Sequence, residues 1–178
     1  SLKKPVNNPN HPIFKVTATP ILMGTELEYN CEVSTSLDAR QVLIKHLKDF
    51  VIFKHDATLN EGGFEIVTIP VELSMHREKF KPVFVNFPPQ LQIGAETGMH
   101  IHLDRKALTP LMLGKITSFM HNPYNKDFLE LLALRSLNSY CPQLGYGFRE
   151  IVEGSKGSNH YASLSLSPTP TIEFRIFQ

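Results

Sequence analysis

Apolar and polar residues alternate with a period of two in four separate segments of the chain. These segments are 24–31 (GTELEYNC), 98–104 (GMHIHLD), 161–167 (YASLSLS) and 171–177 (TIEFRIF). Successive side chains of a β-strand point to opposite faces of a sheet, so each segment is predicted to be a strand with one apolar and one polar side. Shorter strands are predicted at 13–21, 51–54, 64–69 and 149–152.

Apolar residues recur every three or four positions in other parts of the chain, which predicts helices. The predicted helices are 37–50, 107–121 and 126–137, with a shorter one at 75–80. Ser36 is the expected N-cap of the first helix. Three prolines lie within 81–96, so we expect irregular structure there, with one extended piece at 83–87. Residues 1–12 are expected to be a flexible tail, followed by a single domain over 13–178.

These elements predict an α+β fold. An antiparallel sheet can pack one face against helices while its other face stays open. We therefore expect a mostly antiparallel sheet with helices on one face and an open polar cleft on the other.

Composition narrows the class of protein. The 178 residues are 42% hydrophobic and 20% charged, with a formal net charge of +1, as in ordinary globular domains. The chain lacks the excess of basic residues that is typical of nucleic-acid-binding proteins. It also has no apolar run long enough to predict a membrane span. The first residues lack the apolar core of a signal peptide, and Cys31 and Cys141 form no CxxC pair. We therefore expect a cytoplasmic location.

The polar sides of the predicted strands carry ionisable groups. If the strands are neighbours, their polar face gathers Glu26, Glu28, Glu65, His100, His102, Asp104, Glu173 and Arg175. Carboxylates outnumber cationic groups in this set, and a hard divalent cation with oxygen ligands would balance them. The planar guanidinium of Arg175 suits phosphate oxygens. The residues thus predict a metal-dependent, phosphate-handling site, or else an acidic open face without catalysis, and they do not identify a reaction.

The order of motifs along the chain resembles the amidoligase family. The motifs are GTELE at 24–28, DATLNEGGFEIVTIP at 56–70, TGMHIHLD at 97–104, RSLNSYC at 135–141 and HYASLSLSPTPTIEFRIF at 160–177. Amidoligases are carboxylate–amine ligases of the glutamine synthetase and glutamate–cysteine ligase superfamily. The resemblance implies a glutamine-synthetase-like catalytic domain, complete or truncated.

The resemblance also implies roles for individual residues. The implied metal ligands are Glu26, Glu28, Glu65 and Glu173. His100 and His102 match histidines that contact metal, phosphate or acyl substrate, and we expect them to form one wall of the cleft. Arg135 matches an arginine that meets substrate or phosphate, and Arg175 matches the phosphate-side arginine of an E-x-R motif. Asp56 matches the aspartate of a D-x-[ST]-L turn.

The implied cofactors are ATP and Mg²⁺, with Mn²⁺ as an alternative. Nucleotide binding would involve Arg175, His102 and Lys156, the last lying in a Gly/Ser-rich loop at 153–159 that could close over a ligand. The γ-phosphoryl group would pass to a substrate carboxylate, and an amine would displace the resulting acyl phosphate. The substrates would be small-molecule or peptide carboxylates and amines. The oligomeric state stays open.

Two other functions stay open. The chain departs from the family pattern in three ways: Ser165 stands where the family usually has Asn, His160 replaces a usual Arg, and the sequence stops after the E-x-R strand. One alternative is therefore a non-catalytic nucleotide-binding domain of the same fold. The other is a DNA-nicking replication initiator of the His-hydrophobic-His type, with His100 and His102 on the metal and Tyr124 as nucleophile. That function leaves the glutamates and Arg175 unexplained.

Overall fold

A computed structural model of the chain describes residues 20–137, 141–143, 162–168 and 170–177. Several predicted features lie outside these residues. They are the tail at 1–12, most of the strand at 13–21, the strand at 149–152, and the loop at 153–159 with Lys156. No described helix combines the length and the apolar character needed to cross a membrane.

Six strands within the described residues form one open antiparallel sheet. They are β1 (Met23–Tyr29), β2 (Val51–Lys54), β3 (Phe64–Thr68), β4 (Met99–Asp104), β5 (Leu164–Ser165) and β6 (Thr171–Phe177). The strand order is β2-β3-β1-β4-β6-β5, and every neighbouring pair is antiparallel. The expected α+β class and mostly antiparallel sheet are confirmed. Of the strand predicted at 161–167, only Leu164 and Ser165 pair with β6 among the described residues 162–167.

Four α-helices accompany the sheet in the described part of the chain: α1 (Val33–Leu47), α2 (Leu73–Val85), α3 (Pro110–His121) and α4 (Lys126–Ala133). The prediction that Ser36 caps the first helix is wrong. The N-cap is Glu32, and Ser36 lies inside the first turns, where its buried hydroxyl donates a 2.7 Å hydrogen bond to the carbonyl of Gly62. This tertiary acceptor replaces the local capping bond that the sequence suggested.

Helix α2 also runs further than the sequence indicates. It was expected to end at Phe80, but it continues through Pro82 to Val85, so the extended piece predicted at 83–87 is wrong. Phe80 and Val83 are both buried against the core, and the ring of Phe80 meets that of Phe50 at 5.9 Å. This burial offsets the hydrogen bond that Pro82 removes from the helix.

Two apolar clusters attach the helices to a single face of the sheet. In the first, α1 and α2 pack on β1, β2 and β3 through residues such as Leu43, Phe80 and Ile66. In the second, α3 and α4 pack on β5 and β6 through residues such as Met120, Leu129 and Ile172. The strand residues of both clusters share one side in the pairing register, which leaves the other side for polar groups.

A bulge in β6 changes one prediction. Ile101 pairs with Phe174 and Met99 pairs with Phe177, so β6 has two residues where β4 has only His100. The extra residue reverses the alternation beyond it. The alternation of 171–177 alone would put Phe177 on the polar side with Glu173 and Arg175, but Phe177 packs with the second apolar cluster.

Candidate metal centre

The register of β1, β3, β4 and β6 brings the predicted polar residues onto one face. Glu26 lies opposite His100, and Glu28 lies opposite Glu65. On the other side of β4, His102 lies opposite Glu173. Directly opposite residues in an antiparallel pair share a face and lie close together. Side chains far apart in sequence therefore meet over the middle of the sheet.

His100 stands among three carboxylates. Its Nδ1 lies 3.4 Å from Oε2 of Glu26 and 3.5 Å from Oε1 of Glu173, and its Nε2 lies 3.7 Å from Oε1 of Glu28. His100 and Glu173 are buried, and Glu28 is partly buried. His100 is therefore at the centre of the cluster and links β1 to β6.

His102 contributes a second imidazole at the edge of the same cluster. Its buried Nε2 lies 3.5 Å from Oε1 of Glu26 and makes no well-formed hydrogen bond within the described part of the chain. Its Nδ1 lies 3.3 Å from the hydroxyl oxygen of Thr171. A partner on one ring nitrogen orients the other nitrogen of a metal-binding histidine, and Thr171 stands in that position here. The alternation of 171, 173 and 175 could have pointed to this threonine, but it was not among the predicted residues.

Three of these side chains can hold a metal ion together. One ligand atom each from Glu26, His102 and Glu173 lies within 4.8 Å of the others. Glu26 and Glu173 were predicted as metal ligands, whereas His102 was expected mainly in the cleft wall. A mixed set of carboxylate oxygens and an imidazole nitrogen suits Mn²⁺ and related ions and also accepts Mg²⁺ through its oxygens. The residues present thus fit a divalent cation.

Glu28 and Glu65 lie beside this group and have raised pKa values. Burial is the main cause for both, because it disfavours the charged carboxylate. The pKa of Glu65 reaches about 7, since the nearby negative charge of Glu26 adds to the effect of burial and outweighs the attraction of Lys54. Glu65 therefore keeps its proton below about pH 7 when no cation is bound.

Glu26 and His102 stabilise each other's charged forms. Burial works to raise the pKa of Glu26, but its contacts with His100 and His102 outweigh burial and hold that pKa well below its usual range. Burial likewise works to lower the pKa of His102, but the adjacent Glu26 carboxylate outweighs it and raises that pKa. The Glu26–His102 pair is thus favoured in its ionised form when no metal is bound.

Arg175 lies at the β6 bulge, close to His100. Its Nη1 donates a 2.5 Å charge-assisted hydrogen bond to Oε1 of Glu173, and its Nε is buried without a partner. The guanidinium therefore orients the carboxylate of Glu173, and its Nε has no acceptor among the described residues.

Arg135, the predicted substrate or phosphate contact, lies beside the turn that leads into β4. Its guanidinium donates to two backbone carbonyls, those of Thr97 and Ala95, at 3.1 and 3.0 Å. These two acceptors belong to the turn before β4. Two of its donor groups are thus committed to the protein itself and not to a substrate.

Asp56 and Asp104 stand at opposite ends of the polar face. Asp56 accepts 2.7 Å hydrogen bonds from the backbone N–H and the hydroxyl of Thr58, which outweigh burial and lower its pKa. Its charge also helps to raise the pKa of Glu28. Asp104 accepts the N–H of Lys106 at 2.9 Å and so caps a short 3₁₀ turn at Arg105–Ala107.

A cavity of about 400 Å³ opens beside the cluster. Glu26 and His102 form part of its wall, together with Thr171. The remaining lining residues are mostly apolar and include Leu22, Gly24, Val67, Thr68, Pro70, Asp104, Lys106 and Pro170. A cavity of this size and lining is typical of a site for a small organic ligand.

The other predicted groups are separated from the cluster or lie outside the described residues. Tyr124, the nucleophile of the DNA-nicking alternative, is 94% exposed in the turn between α3 and α4, the helices that pack on the opposite face of the sheet from His100. Ser165 lies opposite Glu173 and is buried. Lys156 and His160 lie outside the described residues.

Comparisons with known proteins add no assignment. No protein-family model matches the chain, and no curated protein matches it. The geometry of the polar face therefore stands on its own as the basis for a functional proposal.

Proposed function

We propose that this protein is an ATP- and Mg²⁺-dependent ligase that joins a carboxylate to an amine through an acyl phosphate. The observation that carries the proposal is the convergence of Glu26, His102 and Glu173 within 4.8 Å, with the Arg175 guanidinium bonded to Glu173. A divalent-cation site next to a partly free arginine is the arrangement that phosphoryl transfer requires.

The metal would be held by Glu26, His102 and Glu173, with the carboxylates of Glu28 and Glu65 available nearby. A bound divalent ion supplies charge neutralisation for the triphosphate of ATP. The imidazole in the donor set supports Mn²⁺ as well as Mg²⁺.

Other groups of the chain would bind and orient the substrates. The Nε of Arg175 has no acceptor among the described residues, so it can donate to a phosphate oxygen. The 400 Å³ cavity shares Glu26 and His102 with the cluster and would take the nucleoside part of ATP, with Lys106 in its lining. Holding the reactants in fixed positions lowers the entropic part of the activation barrier.

The proposed reaction has two steps. A substrate carboxylate oxygen attacks the γ-phosphorus of ATP, and ADP leaves. The amine nitrogen then attacks the acyl carbon, the C–O bond to phosphate breaks, inorganic phosphate leaves, and the amine's proton passes to a carboxylate or to water. The chain's part is to position the groups and to stabilise negative charge.

Trapping of the acyl phosphate tests the proposal. The protein is incubated with Mg²⁺, ATP, hydroxylamine and a panel of amino-acid and peptide carboxylates, and both ADP and hydroxamate are measured. We expect both products to form together and to be lost in Glu65→Ala and Arg175→Ala. Glu78→Ala and Arg77→Ala, which change exposed residues of α2, are the matched controls and should keep activity.

The non-catalytic alternative gives a different result. The buried Ser165 opposite Glu173 favours it, because the family usually has the longer Asn side chain at this position. A degenerate domain would bind Mg²⁺·ATP in calorimetry but release no ADP with any carboxylate of the panel. Absence of Mg²⁺·ATP binding would contradict both the ligase and this alternative.

A further inference from the structure

Arg135 lies at the point where the helix layer meets the candidate site. It follows Leu134, which ends α4 in a left-handed conformation (φ 58°) although it is not glycine and is highly exposed. Such a conformation is costly for a side chain with a Cβ. The reversal at Leu134 turns the chain so that Arg135 reaches back towards the sheet.

The guanidinium of Arg135 holds the turn that leads into β4. Its Nη1 and Nη2 donate to the carbonyls of Thr97 and Ala95. The turn is closed by its own bonds, from the N–H of Thr97 to the carbonyl of Gly94 (3.3 Å) and from the N–H of Gly94 to the hydroxyl of Thr97 (2.8 Å). One planar guanidinium can satisfy two carbonyls at once, which a lysine ammonium does less well.

This turn leads directly into β4, which carries His100 of the cluster. The carbonyl of Gly98 accepts the N–H of Glu28 at 3.0 Å, and His100 follows two residues later. A Cβ placed on Gly98 would lie 3.4 Å from Nη1 of Arg135, 3.6 Å from Oε2 of Glu28 and 3.2 Å from the carbonyl of Phe177. Arg135 and Glu28 therefore border the same small space at one end of the cluster.

We infer that Arg135 is a positioning residue, which ties the end of α4 to the 94–98 turn and thereby fixes the imidazole of His100 among its carboxylates. This role differs from the substrate contact that the family resemblance implies. It rests on the proposed function only in so far as the cluster is a metal site. Groups that orient ligands from outside the coordination sphere commonly change metal affinity 10- to 100-fold when mutated.

The test uses Arg135→Ala, Arg135→Lys and Gly98→Ala, with Arg77→Ala on the exposed surface of α2 as the matched control. Gly98→Ala leaves Arg135 in place but adds a methyl group 3.2 Å from the carbonyl of Phe177, which must shift slightly, and in contact with Nη1 of Arg135 at 3.4 Å. Mn²⁺ affinity is measured by electron paramagnetic resonance. The imidazole signals of His100 and His46, the latter on α1, are followed by NMR without metal.

We expect Arg135→Ala to raise the dissociation constant for Mn²⁺ about tenfold or more, and Arg135→Lys and Gly98→Ala to raise it less. The His100 signal should shift while that of His46 stays. Millimolar guanidinium should restore part of the affinity of Arg135→Ala, because the ion can occupy the vacated position. A role in stability alone would not be rescued in this way.

Two results would overturn the inference. One is an unchanged Mn²⁺ affinity and His100 signal in Arg135→Ala. The other is a joint shift of the His100 and His46 signals with no rescue by guanidinium. If the wild-type protein binds no Mn²⁺, the metal site of the proposed function fails, but the His100 signal still decides whether Arg135 positions this residue.

Discussion

At the residue scale, two carboxylates make most of the charged contacts of the candidate site. Glu26 contacts both histidines, while Glu173 contacts His100 and Arg175. Each of these two carboxylates thus has two cationic or potentially cationic neighbours. A change at either position should therefore alter several protonation equilibria at once.

Glu26→Gln should lower the pKa of His102. Burial alone would depress that pKa, and the Glu26 carboxylate is what raises it above its ordinary value. An NMR titration of the imidazole signals in the metal-free protein measures the change. Glu78→Gln, on the exposed side of α2, serves as control, and an identical His102 titration in both variants and the wild type would contradict this account.

Glu65 should make the metal-free protein less stable as the pH rises from about 4.5 to about 7. The folded state keeps the proton of Glu65 up to about pH 7, whereas an unfolded glutamate releases it near its ordinary pKa of 4.5. The folded state thus binds more protons in this window, and the free energy of unfolding falls with rising pH. Glu65→Gln cannot ionise and should flatten this fall in urea titrations with EDTA. Parallel pH curves for the two proteins would show that Glu65 is not the cause.

The residues of the polar face were largely predictable from the sequence, because the period of two fixes which side chains share a side of a strand. Glu26, Glu28, His100 and Glu173 all lie on the predicted face. Phe177 does not, since the bulge in β6 adds one residue and reverses the alternation. The contacts of Arg135 were not predictable either, because they join segments about 40 residues apart.

At the element scale, tertiary packing decided where helices begin and end. Helix α1 begins at Val33 because Ser36 finds its acceptor in the distant Gly62, and α2 passes through Pro82 because Phe80 and Val83 are buried. Local capping and helix-breaking residues contribute less free energy than the burial of large side chains. The sequence therefore predicts that a helix exists more reliably than it predicts where the helix begins and ends.

The two faces of α1 should differ strongly in their contribution to stability. Leu43 is 1% exposed within the first apolar cluster, whereas Leu37 on the same helix is 66% exposed. Leu43→Ala should lower the free energy of unfolding by about 2–5 kcal/mol, because it removes buried methyl groups and leaves a cavity. Leu37→Ala should change it by less than about 0.5 kcal/mol. Chemical denaturation measures both, and equal effects would contradict the described burial.

At the scale of the whole molecule, the cluster spans the junction of two halves. One half is β1–β3 with α1 and α2, and the other is β4–β6 with α3 and α4. Glu26 comes from the first half, while His100 and Glu173 come from the second. The strand order that brings them together depends on non-local pairing, which the period of a single segment cannot reveal. The family resemblance implied a shared site, but not this register.

Because the ligands come from both halves, metal binding should stabilise the whole fold. An ion that binds only the folded state adds about 2.7 kcal/mol at a concentration 100 times its dissociation constant. Mn²⁺ should therefore raise the thermal unfolding midpoint of the wild type. Glu173→Gln should lose most of this rise and Glu78→Gln should keep it. Equal rises in all three proteins would indicate binding elsewhere.

Glu26, His102 and Glu173 lie close enough together to share one cation, and we propose that they hold a divalent cation beside a nucleotide. The most direct measurement is anomalous diffraction from crystals grown with Mn²⁺ and a non-hydrolysable ATP analogue. We expect a manganese peak within coordination distance of these three side chains, with the analogue's phosphates next to it and to Arg175. A manganese peak elsewhere on the molecule, or an analogue bound away from the polar face, would contradict it.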